Sequence, residues 1–256
     1  MPDIRHLFDL RGRTALVTGA SSGLGRAIAE ALAGAGARIV AVARRKAALD
    51  EVTRSLRESG AQAEAVAADV ARRGEIARVA EAASHPFGAP DILVNAAGIN
   101  TREPADQVTE EGWDATLAIN LSAPFFLAQR LAPAMAARGW GRIINIASLQ
   151  SVRAFANGIS YGASKGGVMQ LTRAMAEAWS PRGICCNAIA PGFFPTALTA
   201  PVFKDEALAA KLAAQTMIGR NGRMDDIHGL AVFLASPASD YVTGQTIFLD
   251  GGFTAR

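Results

Sequence analysis

The chain has 256 residues, half of them hydrophobic and 19% charged, which allows a large buried core and excludes an intrinsically disordered protein. A formal charge of +3 without aromatic–basic interleaving argues against nucleic acid as a partner. No uncharged apolar run approaches the ~18 residues of a membrane helix and the first residues carry no apolar leader core, so a soluble, cytoplasmic protein with no membrane partner is expected.

Apolar runs suited to buried strands alternate with helix-length segments. The first strand, Thr14–Val17, enters the turn TGASSGLG over 18–25, and a helix over Leu24–Ala35 follows. Gly19, Gly23 and Gly25 let the backbone turn tightly against a diphosphate, with Ser21, Ser22 and Leu24 in the same turn and the helix N-terminus supplying free N–H groups. The second strand, Arg38–Ala43, ends on Ala43, where an NAD binder usually carries an acid, and Arg44 and Arg45 come next. Arginine suits a 2′-phosphate, so NADP(H) is favoured, with NAD(H) left open. A solvated basic turn would read the same way.

After the helix Ala47–Glu58 and the strand Ala63–Ala67, Asp69 and Val70 stand where an adenine could be held, although Asp69 could equally be a turn residue. The helix Arg73–Ala83 and the strand Ile92–Val94 lead to Asn95, Ala96 and Gly98, small enough for close approach of a ligand or of the next helix. A helix over Trp113–Ala137 contains Asn120, a polar residue in apolar surroundings that needs hydrogen-bond partners. The strand Arg142–Ala147 ends at Ser148. Thirteen residues later Tyr161 opens a helix, read over Ala163–Ser180, with Lys165 one turn on and on the same face. A phenol beside an ammonium should ionise below its usual value near 10, making an acid/base for alcohol and carbonyl chemistry. A solvated Tyr–Lys pair is the bland alternative.

The strand Ile184–Ala190 carries Cys185 and Cys186, which should point to opposite faces of a sheet. Pro191–Asp205 is the least regular stretch, and 191–216 is expected to be a lid over the site. The helix Asp226–Leu234 and the strand Thr246–Leu249 complete the alternation. With no linker or repeat, residues 1–256 read as one α/β domain: a Rossmann-type, doubly wound parallel sheet of about seven strands with helices on both faces.

Taken together, TGASSGLG at 18–25, Asp69, NAAG at 95–98, Asn120, Ser148, YGASK at 161–165 and Pro191-Gly192 resemble the short-chain dehydrogenase/reductase family over nearly the whole chain. Ala96 departs from it, the family more often having asparagine there. The resemblance implies hydride transfer between a nicotinamide and a carbonyl or alcohol carbon. In it Tyr161 is the acid/base, Ser148 holds the substrate oxygen, Lys165 binds the ribose and lowers the phenol pKa, and Asn120 keeps a water in a proton relay. Pro191, Gly192, Phe194 and Thr196 are implied at the nicotinamide. The segments INIASLQS, NAIAPGFF and SDYVTGQT are similar to the subgroup acting on sugar acids, gluconate 5-dehydrogenases and 2-deoxy-D-gluconate 3-dehydrogenases among them.

For such a substrate Arg102 is the candidate carboxylate contact, with Gln150, Arg153 and Asn157 as further contacts. Phe155 stands where gluconate 5-dehydrogenases tend to have arginine, and Phe193 and Phe194 add to an apolar rim. Two alternatives are a 3-oxoacyl-carrier-protein reductase, docking its acidic carrier on Arg138, Arg142 and Arg182, and a dinucleotide-sensing regulatory protein without catalysis. The resemblance also implies a homotetramer built through the two long helices around the serine strand.

Overall fold

The computed structural model describes residues 3–256. Its strands are β1 (Thr14–Thr18), β2 (Arg38–Ala43), β3 (Ala63–Ala67), β4 (Ile92–Asn95), β5 (Gly141–Ile146), β6 (Ile184–Pro191) and β7 (Thr246–Leu249). They form one parallel sheet in the order β3-β2-β1-β4-β5-β6-β7. Between them run α1 (Gly23–Gly34), α2 (Lys46–Glu58), α3 (Arg73–Ser84), α4 (Glu110–Leu117), α5 (Ala123–Ala137), α6 (Ile159–Trp179), α7 (Ala200–Phe203), α8 (Glu206–Ala214) and α9 (His228–Ala235).

Strand alternation divides the core in two. Val17, Ile39, Ala41 and Val94 pack under α1, α2 and α9, whereas Leu16, Val40, Val42 and Leu93 pack under α3, α5 and α6. Both faces are covered, so the central strands are mostly apolar on both sides instead of alternating with polar residues. Cys186 lies in the second layer and Cys185 points the other way; both are free and buried, and burial pushes the Cys186 thiol up to about 12. The strand order reverses between β1 and β4, which opens a crevice beyond their carboxyl ends.

Three expectations need correction. The helix expected over Trp113–Ala137 is three segments, because a π-helical turn over Ala118–Ser122 separates α4 from α5. Pro124 has no N–H to give the Asn120 carbonyl, so the regular ladder breaks there and Ala123 N–H reaches back to Ala118 instead. The helix carrying Tyr161 begins at Ile159, which puts both Tyr161 and Lys165 inside it. Pro191–Asp205 is not structureless, since α7 lies within it and α8 follows. The Asp205 side chain caps α8 by accepting from Leu208 N–H at 2.9 Å, and Val202 and Leu212 anchor the pair in a small apolar cluster.

Candidate active site

Two adjoining cavities lie beyond the carboxyl ends of the strands. The first is a groove of about 500 Å³ over the β1–β4 reversal. Gly19, Ser21, Ser22, Gly23, Leu24, Gly25, Arg44, Arg45, Asp69, Val70, Ala96 and Gly98, all picked from the sequence, line it. Gly19 has φ of +67°, and a Cβ there would stand 2.9 Å from the Ala96 carbonyl oxygen. At Gly25 a Cβ would come within 2.4 Å of the Gly19 carbonyl oxygen, so any side chain would push the turn off the helix. Ser22, at the N-cap of α1, makes no side-chain bond to the first turn, whose N–H groups remain available to an anion. The shape, the glycines and the basic rim fit a dinucleotide.

At the rim Arg44 is 63% exposed, its Nη1 4.0 Å from Asp69 Oδ2. Asp69 also accepts from Ala71 N–H at 3.1 Å, so it is a turn residue that still borders the groove. Asn95 differs from expectation. Its side chain is buried and donates to Asn145 Oδ1 at 2.9 Å, and Asn145 in turn donates to Thr172 Oγ1. It ties β4 to β5 and α6 and does not line the groove. Thr18, not picked from the sequence, accepts from the N–H groups of Ala96 and Ala97 at 3.1 and 3.2 Å and holds that loop against β1.

The second cavity, of about 350 Å³, is bordered by Ser148, Gln150, Asn157, Tyr161, Arg102 and the segment Pro191–Phe194. Pro191, Gly192 and Phe194 therefore stand on this side; of the four expected at the nicotinamide only Thr196 borders both cavities. Arg153 is exposed and borders neither, because the turn after Ser151 directs it to solvent while Phe155 turns inward. Leu198, Thr199, Val202, Leu208 and Leu212 complete the wall from α7, α8 and the loop before them. The four apolar ones carry no polar signal in the sequence that could have singled them out.

Tyr161 borders both cavities. Ser148 caps the short turn Leu149–Ser151 by accepting from Gln150 N–H at 3.1 Å, which leaves its own proton free to donate. Lys165 is buried; its Nζ donates to the Ile146 carbonyl at 2.6 Å and lies 5.6 Å from the Tyr161 ring centroid. Asn120 accepts from Ile99 N–H and donates to the Ile99 carbonyl, both at 2.9 Å, and donates to Ser164 Oγ at 3.0 Å. Ser164 Oγ then donates to the Tyr161 carbonyl at 2.7 Å, so Asn120 fixes the first turn of α6.

The electrostatics reverse one expectation. Burial raises the Tyr161 phenol above its ordinary 10; the Ser148 hydroxyl and the Arg102 charge oppose this without overcoming it. Lys165, expected to lower the phenol, is itself brought from 10.5 to about 8 by burial. Desolvation is the largest influence on both side chains in this state.

Arg102 and Asn157 are the non-glycine residues of positive φ among the described residues, at 56° and 59°, and both border the second cavity. Such backbone is uncommon and concentrates at functional sites. Of the proposed carrier-protein patch Arg142 is buried, while Arg138 and Arg182 are exposed. Arg142 is 1% exposed, stacked on Trp140 and paired with Asp240, and Arg138 is held by Asp91 at 3.1 Å. Both stand at the amino ends of β4 and β5, away from the cavities.

A family profile described as enoyl-(acyl carrier protein) reductase matches residues 19–254. Gluconate 5-dehydrogenase of Gluconobacter oxydans (strain 621H) is 39% identical over 248 residues, 97% of each chain. A 2-dehydro-3-deoxy-D-gluconate 5-dehydrogenase of Bacillus subtilis (strain 168) is 43% identical over 252 residues, again 97% of each. The crystal structure of a gluconate 5-dehydrogenase from Burkholderia cenocepacia J2315, in complex with NADP and tartrate, matches with a TM-score of 0.95 and 41% identity, covering 99% of this chain and 100% of that one. With this fold, these two cavities and relatives of this similarity over nearly the full length, the chain belongs to the short-chain dehydrogenase/reductase family of oxidoreductases acting on CH–OH groups.

Proposed function

We propose that this protein transfers hydride between NADP(H) and the carbonyl or secondary alcohol carbon of a sugar acid or keto sugar acid. The observation that carries the reading is the place of Tyr161 in the wall common to the dinucleotide-sized groove and the second cavity, beside Ser148 and Lys165. The bound nicotinamide supplies or accepts the hydride. Ser148 Oγ donates its free proton to the substrate oxygen, and Tyr161 Oη gives that oxygen a proton in reduction or takes one in oxidation. Lys165 keeps two further N–H bonds beyond the one to Ile146, which suit a ribose hydroxyl and the phenol oxygen. Asn120 acts by positioning, through Ser164 and the first turn of α6. Helices α7 and α8 form the cover of the substrate side. An assay of 5-keto-D-gluconate and related keto sugar acids with NADPH, beside an acetoacetyl thioester, tests the substrate class. Turnover of the thioester alone would sink it.

The preference for NADP(H) rests on Ala43 at the end of β2, on Arg44 at the rim, and on the NADP of the Burkholderia relative. A charge-assisted hydrogen bond contributes ~1.5–3 kcal/mol, so Arg44→Ala is expected to lower the NADPH/NADH ratio of kcat/KM by ~10- to 100-fold. An unchanged ratio would remove Arg44 from cofactor selection. For assembly we propose a homotetramer through the α4–α5 and α6 helices. Sedimentation at micromolar concentration should give four chains per particle, and a monomer would refute it.

A further inference from the structure

Building on the reaction proposed above, we propose that the second cavity selects sparsely hydroxylated oxo acids. A carboxylate meets Arg102, and methylene or methyl carbons, where a sugar acid has hydroxyls, lie against the far wall. This narrows the sugar-acid class to its deoxygenated members.

The cavity has two unlike ends. Arg102 Nη2 donates to the Leu198 carbonyl at 2.9 Å, and Leu198 borders both cavities, so the guanidinium sits near their junction. Arg102 has no ion-pair partner among the described residues, and its remaining N–H groups can take a carboxylate in fork geometry. Arg102 and Tyr161 border the same cavity. Its left-handed backbone, φ of 56°, has no glycine to relieve it, so the residue is held in place at a conformational cost.

The other end is built from carbon. Phe155 and Phe193 border the cavity and Phe253 backs them, the three ring centroids lying 5.8–6.1 Å apart. Leu149, Val202 and Leu212 border the cavity and pack into the same cluster. The hydroxyls of Thr196 and Thr199 are bonded to each other, and that of Thr199 also donates to the Phe194 carbonyl. Gln150 and Asn157 remain free for one side of a substrate. A hydroxyl directed at the aromatic wall is stripped of water without a partner, and each such group weakens binding by roughly tenfold.

The test uses the wild-type enzyme, NADPH and three ketones of one skeleton. These are 5-keto-D-gluconate, 5-oxohexanoate, which keeps its carboxylate and carbonyl but lacks the hydroxyls, and 2-hexanone, which lacks the carboxylate too. We expect kcat/KM for 5-oxohexanoate to exceed that for 5-keto-D-gluconate by at least tenfold, and that for 2-hexanone by at least a hundredfold. A ratio below tenfold over 5-keto-D-gluconate overturns this inference and leaves the proposed reaction standing. Parity with 2-hexanone removes the carboxylate site at Arg102. No turnover of any of the three, with keto sugar acids inert as well, overturns the underlying reaction. In Phe155→Gln, which puts an amide into the wall, the ratio should move toward 5-keto-D-gluconate by at least tenfold. Both ketones are measured on the same variant, so a general loss of activity cancels.

Discussion

Tyr161→Phe is expected to lower kcat in both directions by ~10²- to 10⁴-fold, the range that a positioned acid/base contributes. The variant removes one oxygen and keeps the ring that packs 5.6 Å from Lys165 Nζ. Fold and NADPH affinity should therefore be retained, and thermal melting with a dinucleotide titration checks both. Because burial keeps the phenol protonated at neutral pH, the resting enzyme holds the form that donates to a carbonyl oxygen. Oxidation needs the phenolate, so wild-type alcohol oxidation should rise with pH on the alkaline side while carbonyl reduction falls. The residual activity of Tyr161→Phe should lack this opposition. A loss of less than tenfold in kcat would assign the proton to another group.

Lys165→Met should show two effects of opposite sign. Activity should fall by ~10²-fold or more, since in the proposed reaction the ammonium supports both a phenolate and a ribose hydroxyl. Stability without cofactor should rise. Burial takes Lys165 from 10.5 to about 8, so the folded protein holds its proton less tightly than the unfolded chain. The stability linked to this group is present above 10.5 and lost as pH falls through about 8. At neutral pH the cost of the buried charge is therefore at its full value, ~3 kcal/mol at most. Loss of the bond to Ile146 offsets part of this, leaving a net gain of ~1–2 kcal/mol, or ~2–6 °C in Tm for a chain of this size. The advantage of the variant over wild type should shrink between pH 8 and 10.5. A lower Tm than wild type at pH 7 would show that the lysine stabilises the fold. The expected gain is the familiar conflict between stability and function at a site that buries charge.

The sequence by itself determined what is local along the chain. Buried strands read as short apolar runs, the Gly19–Gly25 turn lies between a strand and a helix, and Tyr161 and Lys165 share a face because one helical turn separates them. These features depend on residues a few positions apart, and their periodicity is visible without a fold. The break at Asn120 was also local, since Pro124 marks it, but the long helical pattern concealed it. α8 is rich in helix formers and has an aspartate cap, local signals of a helix within the stretch 191–216.

Tertiary structure alone decided the rest. Asn95 bonds to a residue 50 positions away, Arg102 to one 96 away, and Phe253 at the far end of the chain packs behind Phe155 and Phe193. Nothing in the neighbourhood of these residues announces such partners, because side chains distant in sequence meet only when the sheet is assembled. Arg153 and Phe155 had similar claims on the cavity, and the direction of one turn chose between them. The ionisation of Tyr161 and Lys165 was legible as a pair but not in sign. Charge proximity follows from spacing on a helix, whereas desolvation depends on everything packed around it, and here desolvation is the larger effect.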